Sequence, residues 1–437
     1  MPRLLPALAV AAAVAVFAGG LAAGPQSAGA AQAATTGRSP AAGTQFYVKA
    51  PMAAAEKQLA QLQAVGQASD ASGLAAMLAT PQAVWLTGGT ESQVYNTVRT
   101  TVAAAQAAGS VPVFVAYNIP GRDCGHYSAG GATDGTAYAG WIGALSSGLG
   151  SAHAIVLLEP DSLGNLPSSC GTSYTGPSDS ARLYMLKAAV ARLEKQPGAA
   201  VYLDGTNSNW LKVGIAAQRL AQAGVAAAQG LFLNVSNYLP TAQQAAYGRW
   251  VSDCLAYGSL PAHAGAYADC PSQYYPANMA DPSTWPTVDA WYAARLGTTT
   301  PTAHVVIDTS RNGGAAEDWD AYASAPYDQS AAVTTTLRSG AWCNAPHAGL
   351  GATPQAQPGP ALVDAYLWVK TPGSSDGRCD AAGGVRAWDY TAYSASGWPT
   401  TDAARSTFDP LWGVQDPGAG TWFPQAALGL VRNRAVS

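Results

Sequence analysis

Seven short apolar runs, rich in β-branched residues, recur along the chain at 84–86, 111–116, 154–158, 200–203, 230–235, 304–307 and 361–369. Their apolar character is continuous rather than alternating, which predicts strands covered on both faces, as in a parallel sheet. Helix-like segments separate several of them. Thr90-Glu91-Ser92-Gln93 has the form of a capping box, and Val94, Val98 and Val102 then fall on one face until Gly109. A second segment, about 180–198, spaces Leu183, Leu186, Val190 and Leu193 as a buried stripe. Strand, helix, glycine, strand is the order of βαβ units, so the pattern predicts an α/β fold with a parallel sheet.

The N-terminus has a different pattern. Arg3 precedes an uncharged apolar run from Leu4 to Leu21, and Ala31-Gln32-Ala33 has the small-residue form of a cleavage site, with Ala28-Gly29-Ala30 as a competitor. This predicts a secretory signal peptide over 1–33 and a secreted, extracellular protein. No other stretch reaches the roughly 18 apolar residues of a membrane span. A short linker is expected at 34–44 and one large domain at 45–437, because no long Pro/Thr/Ser-rich linker or internal repeat divides the rest.

The strand exits carry the candidate chemistry. Tyr117, Asn118, Arg122 and Asp123 come after the second run, Glu159 and Asp161 after the third, and Asp204, Asn207 and Trp210 after the fourth. Asn237 and Tyr238 come after the fifth run, Asp308 and Arg311 after the sixth, and Lys370 and Asp376 after the seventh. In parallel barrels these ends form the active site, so five exits bring an Asp to one face. One such Asp is ordinarily a helix cap or turn former; five at equivalent places point to acid/base chemistry, with one or two of them structural. Crowded carboxylates raise one another's proton affinity. Glycoside hydrolysis needs one protonated carboxyl for the leaving oxygen and one carboxylate for water or carbon.

Composition narrows the substrate. Charged residues are 11% of the chain and the net charge is −4, which speaks against nucleic acid or an anionic membrane as partner. The 13 Trp and 20 Tyr, many in Gly/Pro/Asn-rich segments, suit neutral, hydroxyl-rich ligands on which flat rings can stack. The five His are scattered and no His-Glu-x-x-His spacing occurs, so neither a metal nor another cofactor is expected. A Gly-x-Ser-x-Gly elbow and a phosphate-binding loop are also missing. Six cysteines in an exported chain imply three disulfides, with sequential pairing the expectation.

Residues 116–131 (Ala-Tyr-Asn-Ile-Pro-Gly-Arg-Asp-Cys-Gly-His-Tyr-Ser-Ala-Gly-Gly) closely resemble glycoside hydrolase family 6, the cellobiohydrolases and endoglucanases. So do 158–163 (Leu-Glu-Pro-Asp-Ser-Leu), 234–238, 306–313, 342–344 and 364–370, in order, over roughly 45–430. The resemblance implies a distorted parallel barrel of about seven strands with long loops covering a cleft or tunnel. It implies inverting hydrolysis of β-1,4-linked glucose, with Asp161 as general acid and Asp376 as candidate base. Asp123 would keep that acid protonated and help position water, Asp204 would tune the electrostatics, and Tyr117 would distort the ring at the cleavage point. For sugar binding it implies Trp85, Trp210 and Trp342 as stacking platforms and Thr87, Asn237 and Lys370 as polar contacts. Its disulfide pattern supports Cys124–Cys170 and Cys343–Cys379, leaving Cys254–Cys270 as an extra clip.

Two positions depart from that family. Asn207 stands where a His is common, and Ser374 where a Glu is common. Both belong to the implied sugar-binding set, so altered affinity or product pattern is expected rather than lost chemistry. Arg122 would offset the Asp123 charge if it pointed inward. Loops 312–341 and 377–421 are long enough to roof the cleft, which leaves endo and exo action both open. The expected partner is a β-1,4-glucan polysaccharide or oligosaccharide, bound by a monomer. A secreted glucan-binding protein with weakened catalysis, or a hydrolase of another β-glucan, are the alternatives.

Overall fold

The structure, a computed structural model, describes residues 38–434 except 126, 173, 316 and 380–384; the expected signal peptide lies outside the described residues. All seven apolar runs are strands: β1 (Val84–Leu86), β2 (Val113–Ala116), β3 (Ala154–Leu158), β4 (Ala199–Asp204), β5 (Gly230–Leu233), β6 (His304–Asp308) and β8 (Val363–Leu367). They pair in parallel in that order, and a two-residue β7 (Gln355–Ala356) adds an antiparallel eighth strand beside β8. Two residues are too few to show a period, which is why the sequence pattern does not reveal β7. The sheet curls into a half-barrel. The residues around β1 also touch those just after β8, the Ala83 amide donating to the Trp368 carbonyl (3.0 Å) and Trp85 Nε1 to the Val369 carbonyl (2.8 Å).

Alternate residues of each strand face opposite ways, and both faces are covered. Phe114, Val156, Val201 and Leu231 pack outward against Val98, Leu145, Leu186 and Leu220 of the helices. Val115, Ile155, Leu157, Tyr202, Phe232 and Val306 fill the interior. This double burial accounts for the continuous apolar runs.

The helix Glu91–Ala107 begins with the expected capping box, Thr90 and Gln93 each accepting the other's backbone amide, and buries Val94, Val98 and Val102. The helix Asp179–Leu193 buries Leu186, Val190 and Leu193, while Leu183 is only partly covered. This helix also buries Arg182, whose guanidinium donates to the carbonyls of Pro120 (2.9 Å) and Ser162 (3.4 Å) and so ties together the loops after β2 and β3.

All three disulfides are sequential: Cys124–Cys170, Cys254–Cys270 and Cys343–Cys379. At the N-terminal end of the strands, Asp364 accepts from Tyr202 (2.6 Å) and Ser39 (2.8 Å) and pairs with His304 Nδ1 (2.7 Å). The opposite end, where the strands exit, is left to the long loops.

Candidate active site

The chain turns sharply at the strand exits. Asp123, Glu159, Asp161, Thr206, Asn234 and Ser236 all adopt positive φ, between 55° and 68°, a conformation that persists only where surrounding contacts enforce it. Two buried acids supply part of that enforcement. Glu159 accepts the amides of Asn118 (3.0 and 2.9 Å) and Ile119 (3.0 Å), and burial lifts its carboxyl to about 7. Asp308 accepts the amides of Ser310 (2.9 Å), Ser236 (3.3 Å), Val369 (3.1 Å) and Lys370 (3.0 Å), joining the exits of β5, β6 and β8. Of the five strand-exit aspartates, Asp308 is therefore structural.

The other four gather around one cleft. Asp161 lies partly buried on its floor and has no hydrogen-bonded side-chain partner among the described residues. Burial first, then the charges of Asp204 and Asp123, push its carboxyl well above the usual range, against the opposing pull of Lys370. Asp204 is buried outside the cleft lining, accepting the amides of Thr206 (2.9 Å) and Leu163 (3.3 Å). Burial raises it to about 6, and those backbone hydrogen bonds restrain the rise. Asp123 faces the cleft and accepts the Ser128 amide (2.7 Å).

Asp376 has the opposite environment. Burial alone would raise it, but Arg311 and Lys370 more than reverse this and hold the carboxyl far below the ordinary range. Arg311 Nη1 donates to Oδ2 at 2.9 Å, as do the Tyr238 hydroxyl (2.8 Å) and the Asn344 amide (2.9 Å), while Lys370 Nζ lies 3.0 Å from Oδ1.

The cleft encloses about 1300 Å³. Trp85, Thr87, Asn207, Trp210, Asn237, Trp342, Lys370 and Ser374 all line it, together with Tyr117, Asp123, Asp161 and Asp376. They come from many different loops and strand ends. An aromatic-lined cleft with acids of opposed proton affinity among its walls suits acid/base attack on a neutral polymer.

Residues 41–434 match the profile described as "Glycosyl hydrolases family 6". The chain belongs to glycosyl hydrolase family 6. It is 32% identical over 312 residues to endoglucanase 1 of Streptomyces halstedii, covering 71% of this chain and 75% of that one. It is also 32% identical over 310 residues to endoglucanase A of Cellulomonas fimi, of which it spans 52%. Among solved structures it resembles an endoglucanase from Mycobacterium tuberculosis in complex with methyl-cellobiosyl-4-deoxy-4-thio-β-D-cellobioside. That likeness has a TM-score of 0.59 and 31% identity and covers 90% of this chain and 97% of that one.

Within this family 6 glycoside hydrolase, several expected contributors differ in detail from what the sequence suggests. Arg122 lines the cleft beside Asp123. It lies over the Tyr117 ring (4.6 Å) and donates to the carbonyls of Thr87 (2.7 Å), Ser128 (2.8 Å) and Tyr117. The Tyr117 hydroxyl is pushed up by burial and by Asp161 and Asp123, so it stays protonated beside the acids. Asn207 uses its Oδ1 to accept the Asn209 amide (2.9 Å), which leaves its NH₂ for the cleft. Gly164 packs under the Trp210 indole so closely that a Cβ there would lie 2.5 Å from the ring.

Of the partners of Asp376, sequence reasoning places Arg311 and Tyr238 at strand exits without giving them a role, and it does not single out Asn344. The distance of Arg311 and Tyr238 from Asp376 along the chain, 65 and 138 residues, hides that they meet it. Glu317 and His347 also line the cleft, paired at 2.6 Å; they come from loops with no pattern to mark them.

Proposed function

We propose that this chain is a secreted glucanase that hydrolyses β-1,4-glucosidic bonds of cellulose with inversion, Asp161 protonating the departing oxygen. The observation that carries the proposal is Asp161 itself, a carboxyl of raised proton affinity facing a cleft lined by three Trp of the expected platforms. In the reaction the Asp161 proton passes to the glycosidic O4 as the C1–O4 bond breaks. Water attacks C1 from the opposite face and gives up its proton to a carboxylate or to further water. Asp204 and Asp123 keep Asp161 protonated beforehand. Tyr117, against Trp85 at 5.6 Å edge to face, is suited to press on the ring at the cleavage point.

Asp376 is the candidate base, but its two cations make it a poor proton acceptor. It fits that role only if substrate draws Lys370 or Arg311 away; otherwise it braces them for sugar binding. Trp85, Trp210 and Trp342 serve as platforms, and Thr87, Asn207, Asn237, Lys370 and Ser374 as polar contacts. Relatives carry both endoglucanase and cellobiohydrolase names, in keeping with either mode of attack.

The test is hydrolysis of carboxymethyl-cellulose and swollen cellulose by the wild type and Asp161→Asn. The variant should be slower by about 10²–10⁴-fold, the usual worth of a general acid. Binding without sugar release by the wild type would instead favour a glucan-binding protein, the reading that Asn207 and Ser374 motivate. Asn207→His and Ser374→Glu would then be the substitutions to restore activity.

A further inference from the structure

Tyr275 is the most exposed large hydrophobic residue among those described, at 82%, and its neighbour Tyr274 is exposed at 48%. A single exposed tyrosine on a surface needs no explanation. These two differ because their support is rigid and is built onto the cleft wall. The turn closes on itself through Ser272 N to Tyr275 O (2.9 Å) and Tyr275 N to Ser272 O (3.2 Å).

Beside them, Gln273 is buried and bridges to the β4 loop. Its Nε2 donates to the Leu211 carbonyl (2.7 Å) and its Oε1 accepts the Val213 amide (3.3 Å). The Tyr274 hydroxyl donates to the carbonyl of Trp210, whose indole lines the cleft, at 3.3 Å. The Tyr292 hydroxyl donates to the Pro271 carbonyl at 3.3 Å, and Cys254–Cys270 fastens the base of the turn to the helix Thr241–Ser259. This is the disulfide that the family resemblance leaves as an extra. The turn thus carries two outward rings that need little ordering to bind, which is what preorganisation supplies.

We propose that Tyr274 and Tyr275 form an accessory binding site for β-1,4-glucan, taking the stretch of a long chain that continues past Trp210 outside the cleft. The inference rests on the glucanase reading above. Tyrosine suits the task because its ring face packs on sugar C–H groups while its hydroxyl keeps a polar partner, the Trp210 carbonyl in the case of Tyr274. A chain held at two linked places dissociates less readily than one held in the cleft alone. Short oligosaccharides that do not reach past Trp210 gain nothing from the site.

Tyr275→Ala, with Tyr275→Trp as the conservative partner, tests this. Binding to swollen cellulose is measured in an Asp161→Asn background, and kcat/KM on cellotetraose in the otherwise native enzyme. The expected result is about a fivefold loss of cellulose affinity in Tyr275→Ala, clearly greater than any loss on cellotetraose, and recovery in Tyr275→Trp. Unchanged cellulose affinity, equal losses on both substrates, or a wild-type dimer that Tyr275→Ala dissociates would each overturn it. A wild type that neither binds nor cleaves any β-1,4-glucan would overturn the glucanase reading itself and this site with it.

Discussion

Asp204 stands behind Asp161, outside the cleft lining, yet its charge lifts the Asp161 carboxyl more than that of Asp123, which faces the cleft. If protonated Asp161 is the acid, activity is present below its folded pKa and is lost as pH rises through it. Removing a neighbouring negative charge lowers that pKa. Asp204→Asn should therefore move the basic limb of the kcat/KM profile to lower pH, and by more than Asp123→Asn does. Each unit of displacement corresponds to about 1.4 kcal/mol. Profiles on a soluble β-1,4-glucan measure this, and a basic limb that stays put in Asp204→Asn rules out the assignment.

Asp376 and Arg311 make the opposite prediction about stability. The Asp376 carboxyl is held below its unfolded value, so its contribution is complete above that value, near 4, and fades as pH falls toward the folded value. Arg311→Met strands a buried carboxylate with Lys370 as its remaining cation. A loss of about 3–5 kcal/mol is expected near neutral pH, shrinking on acidification as Asp376 takes up a proton. Denaturant unfolding between pH 3 and 7 checks it. A loss that is the same at every pH would mean that the missing interactions are those of Arg311 with Ser236 and Tyr238 instead.

Much of this arrangement was legible because it is local. The seven strands announce themselves through burial on both faces, the Thr90 box through side chains three residues apart, and the cleft through the polar residues at each strand exit. Direction was not legible. Asp204 and Asp308 read alike in sequence, each closing a strand, but one lies behind Asp161 and the other binds four amides. Arg122 stands next to Asp123 in sequence and turns to carbonyls, whereas Arg311 lies 65 residues from Asp376 and meets it. Which way a side chain points at a strand exit depends on the loops that neighbouring strands bring beside it, so spacing does not give it.

Gly164 and Trp210 offer a test of the stacking platform in which no acidic side chain is replaced. A Cβ at 164 would fall 2.5 Å from the indole, so Gly164→Ala must shift the ring or the β3 loop. Such overpacking costs about 1–3 kcal/mol. KM on cello-oligosaccharides should rise while the pH limbs of kcat stay where they are. A change in the limbs with KM unaltered would show that the strain reaches Asp161 and that Trp210 does not bind sugar.

The Cys343–Cys379 disulfide, which adjoins Trp342 and lies three residues beyond Asp376, rests on a second pair of acids. Oxygens of Asp409 and Asp416 lie within 4.8 Å of each other and of the Cys379 sulfur. The disulfide removes that sulfur as a metal ligand. The buried Arg386 donates to Asp409 (2.9 Å), which commits its cation to one of the two carboxyls. Burial first, and then Asp409, push Asp416 up to about 8. A carboxyl whose folded pKa is raised binds a proton that the unfolded chain gives up. Stability therefore falls as pH climbs from about 4 toward 8 and levels off beyond. Asp416→Asn keeps the shape without the charge, and its amide oxygen can still accept the Cys379 amide, which now lies 3.1 Å from Oδ2. The variant should gain of the order of 2 kcal/mol over the wild type at pH 8 and nothing below pH 4. Thermal unfolding across that range decides the matter: a constant offset between the two proteins would mean that Asp416 is ionised throughout and that Arg386 serves both acids.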